Sequence, residues 1–341
     1  MIASVAIAAW GIGLYGWQTT PASFDFIALY ASARLVATGH AADLTDRDAI
    51  LAVEHETRPE RTRFLNNPNP PAVSAILAPL GLLPFEAAYV VMLTILVATL
   101  VATALVLAPQ ARAEDRAWLF PVAMLSPPSL IALVQGQTTP FILLAIAASL
   151  RTRPAWSGAL LAATALRPQF LPLFALVALA DRERRLPFLA GVAAVVAASF
   201  ALVGPGGLAG YVGLVTDSAA ELRPGDLGIA SLLRRVVGGE DAVLSLALSA
   251  LALAAGAVVV LRAPPALRTS IASSWALFAA PHALPHDGIL CYPTVAAAAR
   301  TSASARSWAA SGVVVSLVQQ AGLPVASLWL LALSLWTSRR S

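Results

Sequence analysis

Long apolar runs separated by short arginine-bearing turns recur from one end of this sequence to the other. They restrict the fold more than any single motif does. After a first run at 2–17 they fall at 71–83, 85–108, 117–134, 138–150, 155–166, 168–180, 186–203, 241–261, 269–280, 288–299, 308–319 and 322–336. A hydrocarbon core takes roughly 20 helical residues, so the shorter runs have to be tilted, broken or extended by mildly polar neighbours. The composition agrees: 58% of the 341 residues are hydrophobic, 12% are charged and the mean hydropathy is +0.77. A soluble globular domain is excluded. The expected fold is an all-α polytopic membrane protein with about 10–13 membrane helices, read as one integral-membrane domain over residues 1–341. The run IASVAIAAWGIGLYGW has no basic flank and no small-residue cleavage site, so it reads as a first membrane helix and not as a removed signal peptide.

The charges report topology. All 22 basic residues are arginine, the net charge is +4, and no basic block is long enough for nucleic acid. Arg112 and Arg116, Arg151 and Arg153, Arg182, Arg184 and Arg185, Arg262 and Arg268, Arg300 and Arg306, and Arg339 and Arg340 sit in short turns. Placing those turns in the cytoplasm follows the positive-inside bias, provided that 71–108 makes one net crossing. Its first run reads equally as re-entrant or as a full span, with Glu86 in the interruption. Four segments then face the other side: the acidic loop 18–70, the turn QGQTT, the loop GPGGLAGYVGLVTDSAAELRPGD and the turn PHALPHDG. The single cysteine, Cys291, excludes an intramolecular disulfide and a thiolate metal cluster.

Nearly every residue suited to chemistry lies in those four segments or beside them. In SFDFIALYASARLVATG, residues 23–39, Ser23 reads as an N-cap and Gly39 as the C-terminal stop. Phe24, Ile27, Ala28, Ala31 and Leu35 share one apolar face, which predicts an amphipathic juxtamembrane helix with Asp25 in its first turn. Asp25 and His40 are candidate bases for a hydroxyl proton, and Arg34 lies further along the same helix. In RFLNNPNPPAVSAILAPLGLLP, Asn66, Asn67 and Asn69 offer amides that either bind sugar hydroxyls or cap a proline-broken turn.

Gln135 and Gln137 tip the hairpin QGQTTPF, where they serve either a polar ligand or the backbone. In ALRPQFLPL, Arg167 interrupts an apolar stretch and Pro168 breaks the helix beside it, with Gln169 next. An arginine at that depth costs on the order of 3 kcal/mol unless it lines a polar cavity or meets an anion, and a lipid phosphate suits its bidentate donors. In APHALPHDGILCYP, His282, His286 and Asp287 gather; Pro285 breaks the four-residue spacing of the two imidazoles, no third metal ligand is evident, and a sugar or phosphate is the better-fitting partner. DLGIASLLRRVVGG reads as an interfacial helix with Arg234 and Arg235 beside anionic head groups.

The order of these pieces resembles glycosyltransferase family 87. The matching pieces are DFIALYASARLVATGHAADLTD, NNPNPPAVSAILAPLGLLP, QGQTTPFILLA, ALRPQFLPLFAL followed by DRERR, GIASLLRR and PHALPHDGILCY, spanning about residues 24–295. The family consists of membrane proteins of GT-C architecture and includes polyprenol-phosphate-mannose-dependent α-1,2-mannosyltransferases. The resemblance implies an inverting transferase at the non-cytoplasmic face of a bacterial inner membrane. It would move a hexose, mannose first among them, from a polyprenyl-phosphate sugar to a lipid or glycan acceptor. It implies Asp25 as general base, Arg167 beside the donor phosphate, and His286 and Asp287 in the late His-Asp segment. Arg34, Asn67, Gln137, Gln169 and His282 complete the expected substrate contacts. Asparagines stand where the family often has an aromatic residue before the prolines.

The lipid-linked sugar is a substrate and no cofactor is called for; no Gly-rich nucleotide motif occurs, and nothing indicates a divalent metal. The expected partners are membrane lipid, donor and acceptor, with no nucleic acid. The rival readings are a multi-pass transporter or flippase, and a protein that binds lipid-linked sugar without transferring it.

Overall fold

The computed structural model describes residues 1–19, 25–59, 64–65, 67–111, 113, 116–220, 227–229, 242–301, 329 and 332. Among them the chain is built from helices, with no strand. These are α1 (Ile2–Thr19), α2 (Phe26–Ala37), α3 (Arg47–Thr57), α4 (Pro71–Gly81), α5 (Phe85–Leu107), α6 (Arg116–Leu125), α7 (Pro127–Val134) and α8 (Thr139–Ser149). They continue as α9 (Pro154–Leu161), α10 (Leu171–Leu179), α11 (Arg182–Ala220), α12 (Ala242–Arg262), α13 (Pro265–Ala279) and α14 (Tyr292–Thr301). Ser23, Asn66, Arg234, Arg235 and the runs at 308–319 and 322–336 lie outside the described residues apart from Trp329 and residue 332.

Among the described residues three helices have the length and apolarity to cross a membrane: Phe85–Gln110, Arg182–Thr216 and Val243–Arg262. α6 and α7 make a fourth if their 43° bend belongs to one span. Other apolar helices, among them α2, α4 and α8, have only 10–17 residues. The protein is an all-α polytopic membrane protein whose apolar runs are broken more often than they are straight. Prolines account for much of the breakage. Pro127 opens α7, Pro71 opens α4, and Pro168 interrupts the run that begins at Pro154. α4 rises only about 16 Å, half a hydrocarbon core, before Pro84 starts the 23-residue α5. Glu86 in that interruption is exposed and pairs with Arg58 at 3.3 Å.

Two elements depart from the sequence expectation. α2 is not amphipathic in its packing, because Phe26 to Ala33 are all buried and Leu35 with them. Phe26 and Tyr30 join Phe85 and Tyr89 in one aromatic cluster with ring centroids 5.2–5.7 Å apart across the helices, each such pair being worth about 0.5–1.5 kcal/mol beyond its area. Tertiary contact on both sides, chiefly from α4 and α3, turns a helix with one apolar stripe into a buried one. The helix begins at Phe26 with Asp25 at the N-cap position, two residues later than a Ser23 cap requires. Its C-terminal stop matches expectation: Gly39 has φ 85°, His40 N–H donates to Leu35 O at 2.7 Å and Gly39 N–H to Val36 O at 3.1 Å.

The second departure is the GPGG loop. The helical run of α11 continues to Ala220 after a single break at Gly204 (φ 65°, ψ −174°), with Pro205 opening the second part. Packing against the first polar region holds that part: a Cβ on Gly210 would lie 2.8 Å from Thr45 Oγ1, and the Tyr211 hydroxyl donates to Pro68 O at 3.2 Å.

Candidate active site

The Gln135–Gly136–Gln137 turn is the hub of the site, and its backbone is set from three directions. α7 ends at Val134, and the Tyr89 hydroxyl of α5 lies within 3.0–3.3 Å of the carbonyls of Leu133, Val134 and Gly13, tying α1, α5 and α7 together just before the turn. Gly136 then takes φ 61°, a conformation that L side chains rarely adopt. A Cβ there would also meet the Phe26 side chain at 2.8–2.9 Å. The glycine is what lets the N-terminus of α2, with Asp25 at its head, dock on the turn.

The two glutamines leave this glycine toward different partners. Gln137 Nε2 donates to Asp25 Oδ2 at 2.6 Å, while its Oε1 accepts from Arg167 Nη2 at 2.5 Å. A guanidinium only donates and a carboxylate only accepts, so the amide has a single orientation that satisfies both. Gln135 Oε1 lies 3.0 Å from His286 Nδ1. With that amide oriented as an acceptor, Nδ1 carries the proton and Nε2 is left with a free lone pair.

Arg167 stands at a break between half-helices. α9 passes into a 3-10 turn at Ala162–Leu166, Arg167 leaves helical geometry (φ −135°, ψ 80°), and a second turn at Pro168–Phe170 leads into α10. Irregular backbone in a membrane protein is tolerated where protein surrounds it. Here the side chain is 7% exposed. Its Nη1 lies 3.2 Å from Asp287 Oδ1, its Nη2 binds Gln137, and its buried Nε has no hydrogen-bond partner. The guanidinium has more N–H donors than these two contacts take, and Arg167 lines the cavity described below.

Asp287 is itself held on every side. Thr139 at the start of α8 donates to Oδ1 at 2.7 Å and the Leu284 N–H donates to Oδ2 at 3.0 Å. Burial pushes its pKa up, but the Arg167 guanidinium, His286 and these hydrogen bonds outweigh burial and hold it below the ordinary carboxylate value. For His286, burial dominates and lowers the pKa to about 4, against the neighbouring Asp287 charge. The imidazole is thus neutral at physiological pH. The turn carrying both is a 3-10 segment, Pro285–Cys291, packed on α7, α8 and α13. No regular helix places His282 and His286 one turn apart. Among the described residues no group of three His, Cys, Asp or Glu side chains gathers as a metal-ligand set.

These groups line one open cavity whose empty space, counted with its mouth and the solvent in it, is about 560 Å³. Asp25, Asn67, Gln137, Arg167, Gln169, His282 and His286 all contribute to its wall, and Asp287 stands directly behind Arg167. Residues separated by 261 positions in the chain, Asp25 and His286, thus share one wall.

Two expected contacts fall elsewhere. Arg34, nine residues along α2, binds Glu56 at 2.9 Å and the Tyr30 hydroxyl at 3.2 Å, away from the cavity. His40 is exposed, 3.5 Å from Asp43. Asn67 lines the cavity but its amide is engaged: Nδ2 donates to Ser32 Oγ at 3.0 Å, and Oδ1 accepts from the backbone and side chain of Asn69. Asn69, which also lines the wall, keeps its own side-chain oxygen for a ligand. The sequence singled out Thr139 only as part of QGQTTPF; its role as a support of Asp287 needed the fold.

A polar cavity with one half-buried carboxylate, one arginine with an open donor and a set of amides and imidazoles suits a sugar joined to a phosphate. Of the expected interfacial segment 226–239, only residues 227–229 are described; Leu227 N–H donates to Ala283 O at 2.6 Å, beside the His282 turn. No curated protein and no solved structure matches the chain. A family model does, over residues 67–285, which covers more than half of the sequence, begins well after Asp25 and ends one residue before His286. The chain belongs to glycosyltransferase family 87 and is a membrane glycosyltransferase.

Proposed function

We propose that the protein moves a hexose, mannose first among the candidates, from a polyprenyl-phosphate sugar to a lipid or glycan acceptor. The reaction takes place at the periplasmic or exterior face of a bacterial inner membrane. The observation that carries this reading is the cavity in which Asp25 and Arg167 are joined through Gln137. Among the described residues Asp25 is the one carboxylate on the cavity wall, and it accepts the proton of the acceptor hydroxyl. The hydroxyl oxygen attacks the anomeric carbon, the bond from that carbon to the phosphate oxygen breaks, and the sugar is transferred with inversion. Negative charge gathers on the departing polyprenyl phosphate, where the guanidinium of Arg167 on the cavity wall meets it. Gln169 and Asn69 supply amides to the sugar hydroxyls, and His282 and His286 line the same wall.

The test uses the full chain in lipid nanodiscs with radiolabelled polyprenyl-phosphate mannose and a bacterial lipid extract. Transfer of label to a new, acid-labile glycolipid supports the reading. Saturable donor binding with no product across a panel of acceptors makes the protein a lipid-linked-sugar binder. Label carried across a proteoliposome membrane without a covalent product makes it a transporter.

A further inference from the structure

We propose that Gln137 is a positioning residue of the transfer, joining the group that holds the donor phosphate to the group that takes the acceptor proton. The inference rests on the reading of Asp25 as base and Arg167 as phosphate partner. Gln137 is 5% exposed, and both ends of its amide are committed: Oε1 to Arg167 and Nε2 to Asp25. The bond from Nε2 occupies Asp25 Oδ2 and so turns Oδ1 toward the acceptor. Because Arg167 donates into the same amide, the N–H facing Asp25 is polarised and its hydrogen bond to the carboxylate is strengthened. Arg167 also lines the cavity, and its guanidinium has more N–H donors than Gln137 and Asp287 take, so a phosphate oxygen binds it without displacing Gln137. Donor and base are thereby held in fixed relative position, which is where most of the rate advantage of an oriented pair comes from. The other titratable groups at the cavity are His282 and His286, with Asp287 behind Arg167.

Two variants of the full chain in nanodiscs separate this role from a merely structural one. Gln137→Glu keeps an acceptor for Arg167 but sets a carboxylate against Asp25. The expected result is a donor KM within about threefold of the parent, kcat at pH 7 reduced about tenfold or more, and an acidic limb of the kcat profile moved up by about one pH unit, so that activity returns as pH rises. Gln137→Met has the same length and neither hydrogen bond; it loses kcat at every pH, and its donor KM rises as Arg167 loses a partner. A Gln137→Glu profile that superimposes on the parent overturns the proposal, and so does equal loss in both variants at all pH values. A parent protein without transfer activity, or an Asp25→Asn variant that retains it, overturns instead the reading on which the proposal rests.

Discussion

Two carboxylates end the hydrogen-bonded chain that runs Asp25–Gln137–Arg167–Asp287, and their surroundings differ at each point. Asp25 heads a helix, is half-buried on the cavity wall, and among the described residues has one side-chain partner, Gln137. Asp287 is 1% exposed and gives both oxygens to protein donors, Arg167 and Thr139 on one and the Leu284 N–H on the other. A carboxylate buried to that degree, with both oxygens held by protein donors, is out of reach of a substrate proton. The fully satisfied one therefore positions the arginine, and the under-satisfied one is available to react.

Four experiments break or sharpen that contrast. The largest effect is expected from Asp25→Asn, which leaves the shape of the wall intact and removes the base: turnover should fall about 10²–10⁴-fold with an unchanged thermal unfolding midpoint. Full activity in this variant would make the two carboxylates equivalent bystanders. Asp287→Ala should act the other way round, chiefly on folding. Removing one partner of a buried ion pair leaves Arg167 uncompensated and costs about 3–5 kcal/mol, measured by unfolding in detergent. A melt indistinguishable from that of Asp25→Asn would end the distinction.

The third experiment is a pH series, with melting followed from pH 8 to pH 4. His286, whose folded pKa is lowered from 6.5 to about 4, contributes stability that is complete above pH 6.5 and is lost as pH falls through 4. Asp287, also lowered, contributes stability that is lost at still more acid pH, below the ordinary carboxylate range. The melting temperature should thus be level from pH 8 to about 6.5 and fall below that. His286→Gln should remove the part of the slope between pH 6.5 and 4; an unaltered slope would assign it to other groups. The smallest effect belongs to Arg34→Ala, which breaks a half-exposed pair with Glu56 outside the cavity: no more than about 1 kcal/mol in stability and no change in donor KM. A raised KM would draw the boundary of the site wider than the cavity.

The comparison also marks where reading the chain succeeded. Arg167 was legible because an arginine in an apolar run has to meet something polar, and the half-helix break beside Pro168 lies where the proline puts it. QGQTT was legible as a hairpin tip, and Gly136 at φ 61° is the local reason. Arg34 misled because periodicity shows that a residue shares a helix with Asp25 but not which way each one faces once the helix is buried. Asn67 misled in a different way: its residue type suits a sugar, but Ser32 and Asn69 satisfy it first. The GPGG segment read as a loop because glycine and proline disfavour helix, a preference that contacts to Thr45 and Pro68 override.

By itself the order of residues determined that the protein is a helical membrane protein, because apolar runs of that length and number have no stable place in water. It determined too where helices break, since proline and glycine act on their own backbone. What only the tertiary structure decided is the partnership of Asp25, Gln137, Arg167 and Asp287. Hydrogen bonds act over about 3 Å, and these residues lie up to 262 positions apart, so the bonds exist only because α2, the α7–α8 turn, the α9–α10 break and the turn at Pro285–Cys291 pack together. Which of the two aspartates is left with a free oxygen is likewise a property of that packing: residue type is the same at both positions, and the count of neighbouring donors is not.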